Sequence, residues 1–204
     1  MLNTYGYPFG NKDHSYMLAT YQKSGFETER VKNYIQNEEA FLQCPTNLRY
    51  QFTDDFNLKI SDACCKKLKI EPLKKFQKES NRIYSIVGVR RSEGGRRKNA
   101  QCLVFKDGLL KKVQPLAPIL ETWIDWFIEK YDVKLCDLYY PPYSFNRTGC
   151  KGCPFNSYLQ KDLDVMYKYF PAEAKQCEFI WKPVYEEYRR IGYKLRKEGK
   201  NKLF

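Results

Sequence analysis

Two pairs of cysteines stand far apart in the chain and limit how it can fold. Cys64 and Cys65 are adjacent, and after 84 intervening residues Cys150 and Cys153 form a Cys-x-x-Cys motif around a glycine. Such a turn can point both sulfurs at one metal centre, whereas adjacent cysteines do not easily chelate one tetrahedral ion but can bind two irons of a cubane. The four thiols together favour a 4Fe–4S cluster, with zinc as the alternative.

The other four of the eight cysteines fall into two groups. Cys102 and Cys136 are reserve ligands that could replace one of the vicinal pair. Cys44 and Cys177 are predicted to pack in the core, since a free cysteine behaves as a small buried hydrophobe. His14 is the single histidine, so mixed Cys/His zinc sites have almost nothing to draw on.

Composition and charge restrict the class of protein. The first twenty residues contain no apolar signal-peptide core, so we expect a cytoplasmic, reducing compartment, where clustered cysteines bind metal or do redox chemistry. No window approaches the roughly 18 consecutive apolar residues of a membrane-spanning helix. The chain has 36 Lys and Arg against 24 Asp and Glu, a net charge of +12. The excess lies in residues 66–78, 90–112 and 181–204.

The residue pattern predicts a mixed α/β protein of 204 residues. Residues 1–156 are expected to form a truncated α/β domain, and residues 157–204 a basic helical extension packed on it. Ser61 could cap a short helix that carries the vicinal cysteines. The best strand is Arg82–Val89, and a hairpin turn at Lys-Asp-Gly should follow it. Helices are expected over residues 28–42, 72–78, 119–131, 157–169 and 171–196, with the apolar face of 119–131 in the core.

A loop rich in glycine and arginine follows the best strand and reads GVRRSEGGRR. Its glycines let backbone N–H groups approach an anion closely, and its guanidinium groups match phosphate or sulfate bidentately. The loop therefore predicts an anion site, with a mobile basic loop as the alternative. The residues expected to bind are Arg90, Arg91, Glu93, Gly94, Gly95 and Arg96, joined by Arg147 just before the Cys-x-x-Cys motif.

With these motifs, the chain resembles the phosphoadenosine phosphosulfate (PAPS) reductase family, and more narrowly its cluster-bearing phage and bacterial members. The Cys-Cys pair, the GVRRSEGGRR loop and the segment FNRTGCKGCPF occur in the family's order, and the likeness runs from about Tyr5 to Tyr188. The resemblance implies an adenine-nucleotide α-hydrolase-like fold, a parallel sheet with helices on both faces. It also implies cluster ligation by Cys64, Cys65, Cys150 and Cys153, and contacts from Arg90, Arg91 and Arg96 to the sulfate or phosphate of an adenylyl nucleotide.

Two parts of the family's pattern have no counterpart in these residues. The family's Ser-Gly-Gly-Lys-Asp-Ser-like loop, which wraps the nucleotide phosphates, does not occur here, so we expect an incomplete sheet. The family's reductases also use a cysteine in a Glu-Cys-Gly motif near the C-terminus, whereas Cys177 stands in Lys-Gln-Cys-Glu. We therefore do not expect this chain to reduce a sulfonucleotide alone.

Two functional hypotheses follow. In the first, the chain is a cluster-bearing module that binds an adenylyl nucleotide or a sulfate or phosphate group, with a separate chain supplying the missing loop. In the second, it is a catalytically silent basic protein that reuses the scaffold to bind nucleic acid or another protein, for example as a phage-encoded inhibitor. An incomplete sheet would leave an open edge, which we expect a second chain or self-association to cover.

Overall fold

The computed structural model describes residues 1–37 and 39–197, without the side chains of Glu27 and Arg96. The chain divides into two compact units: Met1–Lys69 together with Asp137–Phe204, and Ile70–Cys136. None of the described helices is long and apolar enough to cross a membrane. The division expected between residues 156 and 157 stays a prediction.

The described residues form eight α-helices and three strands, and the predicted helices are found with shorter bounds. The helices α1 to α8 span Leu2–Tyr5, Lys12–Ser24, Glu29–Gln36, Ala63–Cys65, Glu71–Glu79, Glu121–Lys130, Leu159–Tyr169 and Pro171–Ile191. The strands β1 to β3 span Ser85–Ile86, Leu103–Lys106 and Leu109–Val113. The α/β class, the flanking helices and the helical C-terminal region are thereby confirmed.

The first unit has a helical core that both ends of the chain build together. Asn11 caps α2 by accepting the His14 backbone N–H at 2.8 Å, and the buried side of α2 meets those of α3, α7 and α8. Cys44 and Cys177 are buried in this core, as predicted. The largest fully buried side chains here include Phe9, Leu18, Leu48, Leu163, Tyr185 and Tyr188.

The segment before α2 is fixed beside the residues that precede the vicinal cysteines. Tyr7 pairs with Ile60 in a parallel bridge, in which the Tyr7 N–H donates to the Lys59 carbonyl oxygen at 2.8 Å. The Ser61 N–H donates in turn to the Tyr7 carbonyl oxygen at 2.8 Å. Gly6 has φ +98°, and a Cβ there would lie 2.9 Å from the Ile60 carbonyl carbon. The two backbones therefore approach as closely as glycine allows.

The second unit contains a three-stranded mixed sheet in the order β1-β3-β2. β2 and β3 form the expected hairpin, whose turn residues Asp107 and Gly108 both have positive φ, as a two-residue type I′ turn requires. β1 pairs with β3 in parallel but covers only Ser85–Ile86 of the strand predicted over 82–89. The sheet thus has one parallel and one antiparallel pair.

The prediction that residues 119–131 present a core face is wrong. No side chain of α6 is buried, and Trp123, Trp126 and Phe127 are each more than half exposed. The apolar spacing correctly predicted a helix, but it does not say what covers the apolar side. The sheet also leaves apolar side chains exposed, among them Ile86 and Phe105.

Candidate metal centre and anion loop

The vicinal cysteines lie in the first turn of a helix with an irregular continuation. Ser61 Oγ accepts the N–H of Ala63, the first residue of α4, at 3.0 Å, as the sequence suggested. Directly after Cys65 the backbone makes one π-helical turn, Lys66–Ile70. Such turns are rare and occur frequently at functional sites. Cys64 is buried and Cys65 is half-buried.

The Cys-x-x-Cys motif forms a tight turn in the same unit. The Cys153 N–H donates to the Cys150 carbonyl oxygen at 3.1 Å, and Gly152 between them has φ +59°. The Phe155 backbone N–H donates to the Cys153 sulfur. Cys150 is exposed and Cys153 is half-buried, so the turn has one thiol at the surface and one inside.

The structure brings the two cysteine pairs close enough for their charges to interact. Burial raises the pKa of Cys64 to about 12, and the Cys65 and Cys153 thiols raise it further. Burial also raises the pKa of Cys153, and Cys150 and Cys65 add to that increase. Because metal ligation needs thiolates, these groups release protons when they bind a metal. Cys153 thus interacts with thiols of both pairs.

The donor set fits a cluster better than a single ion. Across residues 1–37 and 39–197, no three His, Cys, Asp or Glu side chains converge closely enough to hold one metal ion. A cubane spreads four thiolate ligands over four irons, so it needs them further apart than one tetrahedral ion does. Four interacting thiols with no histidine or carboxylate among them are a donor set typical of iron–sulfur proteins.

The C-terminal helix holds the Cys-x-x-Cys turn through hydrogen bonds that the sequence analysis missed. Three aromatic side chains spaced four and three residues apart lie on one face of α8 and donate to carbonyl oxygens of the turn. Trp181 Nε1 donates to Lys151 (3.2 Å), Tyr185 Oη to Gly152 (2.5 Å) and Tyr188 Oη to Pro154 (3.0 Å). The spacing could have signalled a common face, but backbone acceptors leave no trace in residue type.

The arginine loop in the second unit is more neutralised than its sequence suggests. Arg90 forms an ion pair with Glu121, and its Nε lies 4.0 Å from Glu93 Oε1. Arg97 also pairs with Glu93, so Glu93 acts as a counter-ion within the loop. A hydrogen bond from Ser92 and the charge of Arg90 hold the pKa of Glu121 below its usual range.

The remaining residues predicted for anion binding are placed as follows. Arg91 Nε donates to the Ala100 carbonyl oxygen at 2.8 Å. Gly94 and Gly95 have φ +69° and +55°, with open space where a side chain would stand. The Arg96 side chain lies outside the described residues, and Arg147 is exposed in the first unit. Anion binding by these residues stays a prediction, and the reserve ligands Cys102 and Cys136 are exposed in the second unit.

Comparison with known families identifies the scaffold. The profile of the phosphoadenosine phosphosulfate reductase domain matches residues 20–156, about two thirds of the chain. The chain belongs to the PAPS reductase family. The match includes both cysteine pairs and the arginine loop, whereas α8 lies outside it. No curated protein and no solved structure matches the chain.

Proposed function

We propose that this PAPS reductase family protein binds a 4Fe–4S cluster through Cys64, Cys65, Cys150 and Cys153. The observation that carries the proposal is the interaction of the Cys153 thiol with thiols of both cysteine pairs within one unit. When bound, such a cluster supplies a one-electron redox centre and a compact charge. The chain's own contribution is to fix the Cys-x-x-Cys turn against α8 and the vicinal pair against the N-terminal segment.

The role that fits this chain is to hold the segment around Cys150 against the helix of the vicinal pair, without autonomous sulfonucleotide reduction. Sequence motifs that the family's reductases use for phosphate binding and for attack on sulfur have no counterpart in these residues. The arginine loop would bind an adenylyl nucleotide or its sulfate or phosphate group. Because Glu93 and Glu121 already pair with its arginines, an incoming anion must displace these carboxylates.

The deciding experiment measures iron, acid-labile sulfide and zinc in protein purified without oxygen. We expect about four irons and four sulfides per chain, the content of one cubane. One zinc without sulfide would overturn the cluster and leave the cysteines as a structural staple. Protein with no metal, even after anaerobic reconstitution with iron and sulfide, would overturn the whole assignment.

Matched variants show which thiols bind. Cys64→Ala/Cys65→Ala and Cys150→Ala/Cys153→Ala should each abolish the cluster absorbance. Cys102→Ala/Cys136→Ala is the control, because it removes two exposed thiols of the other unit. A loss of iron in this control variant would mean that the reserve cysteines belong to the site.

Nucleotide binding is tested separately by calorimetry with adenosine phosphosulfate and phosphoadenosine phosphosulfate. We expect binding that weakens in Arg91→Ala, since Arg91 is an arginine of the loop not seen paired with Glu93 or Glu121. Lys106→Ala removes a positive charge from the same unit outside the loop and serves as the control. Equal weakening in both variants would indicate a general charge effect rather than a site in the loop.

A second candidate function, binding of single-stranded nucleic acid, is favoured by one observation in the second unit. Phe105, Trp123 and Trp126 are each more than half exposed, in a unit where residues 90–112 carry eight basic and two acidic side chains. Exposed rings on which bases can stack, set in positive charge that attracts phosphates, are typical of single-strand binding surfaces.

Fluorescence anisotropy with a labelled single-stranded oligothymidine tests this candidate. Affinity should fall steeply as salt is raised, because binding releases condensed counterions. Phe105→Ala and Trp123→Ala should weaken it, whereas Phe179→Ala, which removes an exposed ring from α8 in the other unit, should not. Absence of salt-sensitive binding would reject this candidate and favour a protein partner for the same surface.

A further inference from the structure

A closed set of hydrogen bonds lies at the Cys-x-x-Cys segment and joins both ends of the chain. The Pro154 carbonyl oxygen accepts from Tyr188 Oη at 3.0 Å and from Lys194 Nζ at 2.8 Å. Both donors also contact Gly10, whose N–H donates to Tyr188 Oη at 2.7 Å and whose carbonyl oxygen accepts from Lys194 Nζ at 2.5 Å. Tyr188 is completely buried and Lys194 is half-buried. The Pro154 carbonyl is therefore held from two sides.

The peptide unit that carries this carbonyl ends at a cysteine ligand. Its N–H belongs to Phe155 and donates to the Cys153 sulfur. In a trans peptide the C=O and N–H groups point in opposite directions, so a fixed carbonyl also fixes the direction of the N–H. A cation at the carbonyl oxygen polarises the peptide and makes its N–H a stronger donor. The contacts of Tyr188 and Lys194 are thus transmitted to the sulfur through one rigid group.

We propose that Tyr188 and Lys194 are positioning residues for the metal centre: they hold and polarise the Pro154–Phe155 peptide, so that its N–H donates to the Cys153 sulfur and raises the reduction potential of the bound cluster. This inference rests on the proposed function. Hydrogen bonds to ligand sulfurs and nearby charges are the means by which proteins tune iron–sulfur potentials. A donor N–H and a positive charge both stabilise the reduced, more negative form.

The test compares reduction potentials of the reconstituted protein and three variants by redox titration followed with electron paramagnetic resonance. Tyr188→Phe keeps the ring and removes one donor to Pro154, so it should shift the potential to a more negative value. Lys194→Met removes a donor and the charge and should shift it further. Lys194→Arg retains the charge and should remain nearest the unmodified protein.

Lys151→Met is the matched control for charge. It removes a positive charge from inside the Cys-x-x-Cys motif, but its ammonium group lies 3.4 Å from Gln176 Oε1 rather than at Pro154. Its potential should shift less than that of Lys194→Met. Equal shifts in these two variants, with none in Tyr188→Phe, would overturn the proposal, since charge alone would then explain the potential.

Hydrogen exchange separates this proposal from the proposed function. If the unmodified protein takes up no iron and sulfide, the proposed cluster is wrong, but the Phe155 amide can still be followed in the metal-free chain. That amide should exchange slowly in the unmodified protein and faster in Tyr188→Phe and Lys194→Met. An exchange rate that neither substitution changes would overturn the positioning role, whether or not a cluster binds.

Discussion

Gly152 adopts a left-handed backbone conformation within the Cys-x-x-Cys turn, directly against α8. A Cβ at this position would lie 2.6 Å from Tyr185 Oη and 2.7 Å from Cys177 Sγ. Both of these side chains are buried, so they have little room to move. The small size and the backbone freedom of glycine are both needed here.

Gly152→Ala should therefore destabilise the protein by about 2 to 4 kcal/mol, the combined cost of a left-handed alanine and of overpacking. Urea unfolding followed by tryptophan fluorescence measures the loss. Gly149→Ala is the control, because nothing lies within 4 Å of a Cβ there. Similar losses in the two variants would mean that the close contact with Cys177 and Tyr185 is absent in solution.

His14 is completely buried between Tyr34 and Gln51. Its Nε2 lies 2.7 Å from Gln51 Oε1, which can only accept, so this nitrogen carries the proton and Nδ1 accepts from the Tyr34 hydroxyl at 3.0 Å. Burial lowers the pKa of His14 from 6.5 to about 4. The single histidine is thus a neutral structural residue of the core, consistent with a metal centre built from thiols alone.

This burial predicts an acid-sensitive fold. Above pH 6.5 both states are neutral at His14 and its contribution to stability is complete; as the pH falls from 6.5 to about 4, only the unfolded chain gains the proton. The free energy of unfolding should decrease by about 3 kcal/mol over this range. Because the chain has one histidine, proton NMR follows its ring directly. A ring that titrates near 6.5 in the folded protein would contradict the prediction.

At the scale of elements, α8 and α6 use similar residues in opposite ways. Trp181 on α8 is buried and donates to the Cys-x-x-Cys turn, whereas Trp123 on α6 is mostly exposed. Trp181→Ala should cost about 3 to 5 kcal/mol, the usual range for removing a buried tryptophan. Trp123→Ala should change the stability by no more than about 0.5 kcal/mol. Urea unfolding of both variants tests this, and a large loss for Trp123→Ala would restore the core face predicted from the sequence.

The sequence predicted local elements better than their surroundings. Helical spacing located α6 and α8, and Asp107-Gly108 located the hairpin turn, because these signals are carried by residues close together in the chain. The strand predicted over residues 82–89 shrinks to Ser85–Ile86, since only these residues pair with β3. The carbonyl acceptors of Tyr185 and Tyr188 and the counter-ion role of Glu93 depend on contacts that residue types do not encode.

At the scale of the whole molecule, the second unit has apolar surface without a covering element. In the described residues, no strand pairs with the outer edge of β1 or of β2. Ile86 and Leu103 both pair with Val113, so they lie in one row on one face of the sheet, and both are exposed. An open edge beside exposed apolar residues is a site where a second chain adds readily.

We therefore expect the isolated protein to self-associate through this face or to need a second chain that covers it. Sedimentation velocity should show a sedimentation coefficient that rises with protein concentration. Ile86→Lys/Leu103→Lys should abolish the rise, whereas Lys substitution of Phe179, an exposed residue of the other unit, should leave it unchanged. A monodisperse unmodified protein whose β1 and β2 amides exchange freely would contradict this expectation.

The hydrogen bonds between Gly10, Pro154, Tyr188 and Lys194 also have a consequence for the order of events during synthesis. The Cys-x-x-Cys turn leaves the ribosome before α8, and until residues 181–194 follow, its carbonyl groups lack the donors that hold them. Both cysteine pairs are then already present, yet the second one has no fixed shape. Metal acquisition should accordingly be one of the last steps in maturation, after translation rather than during it.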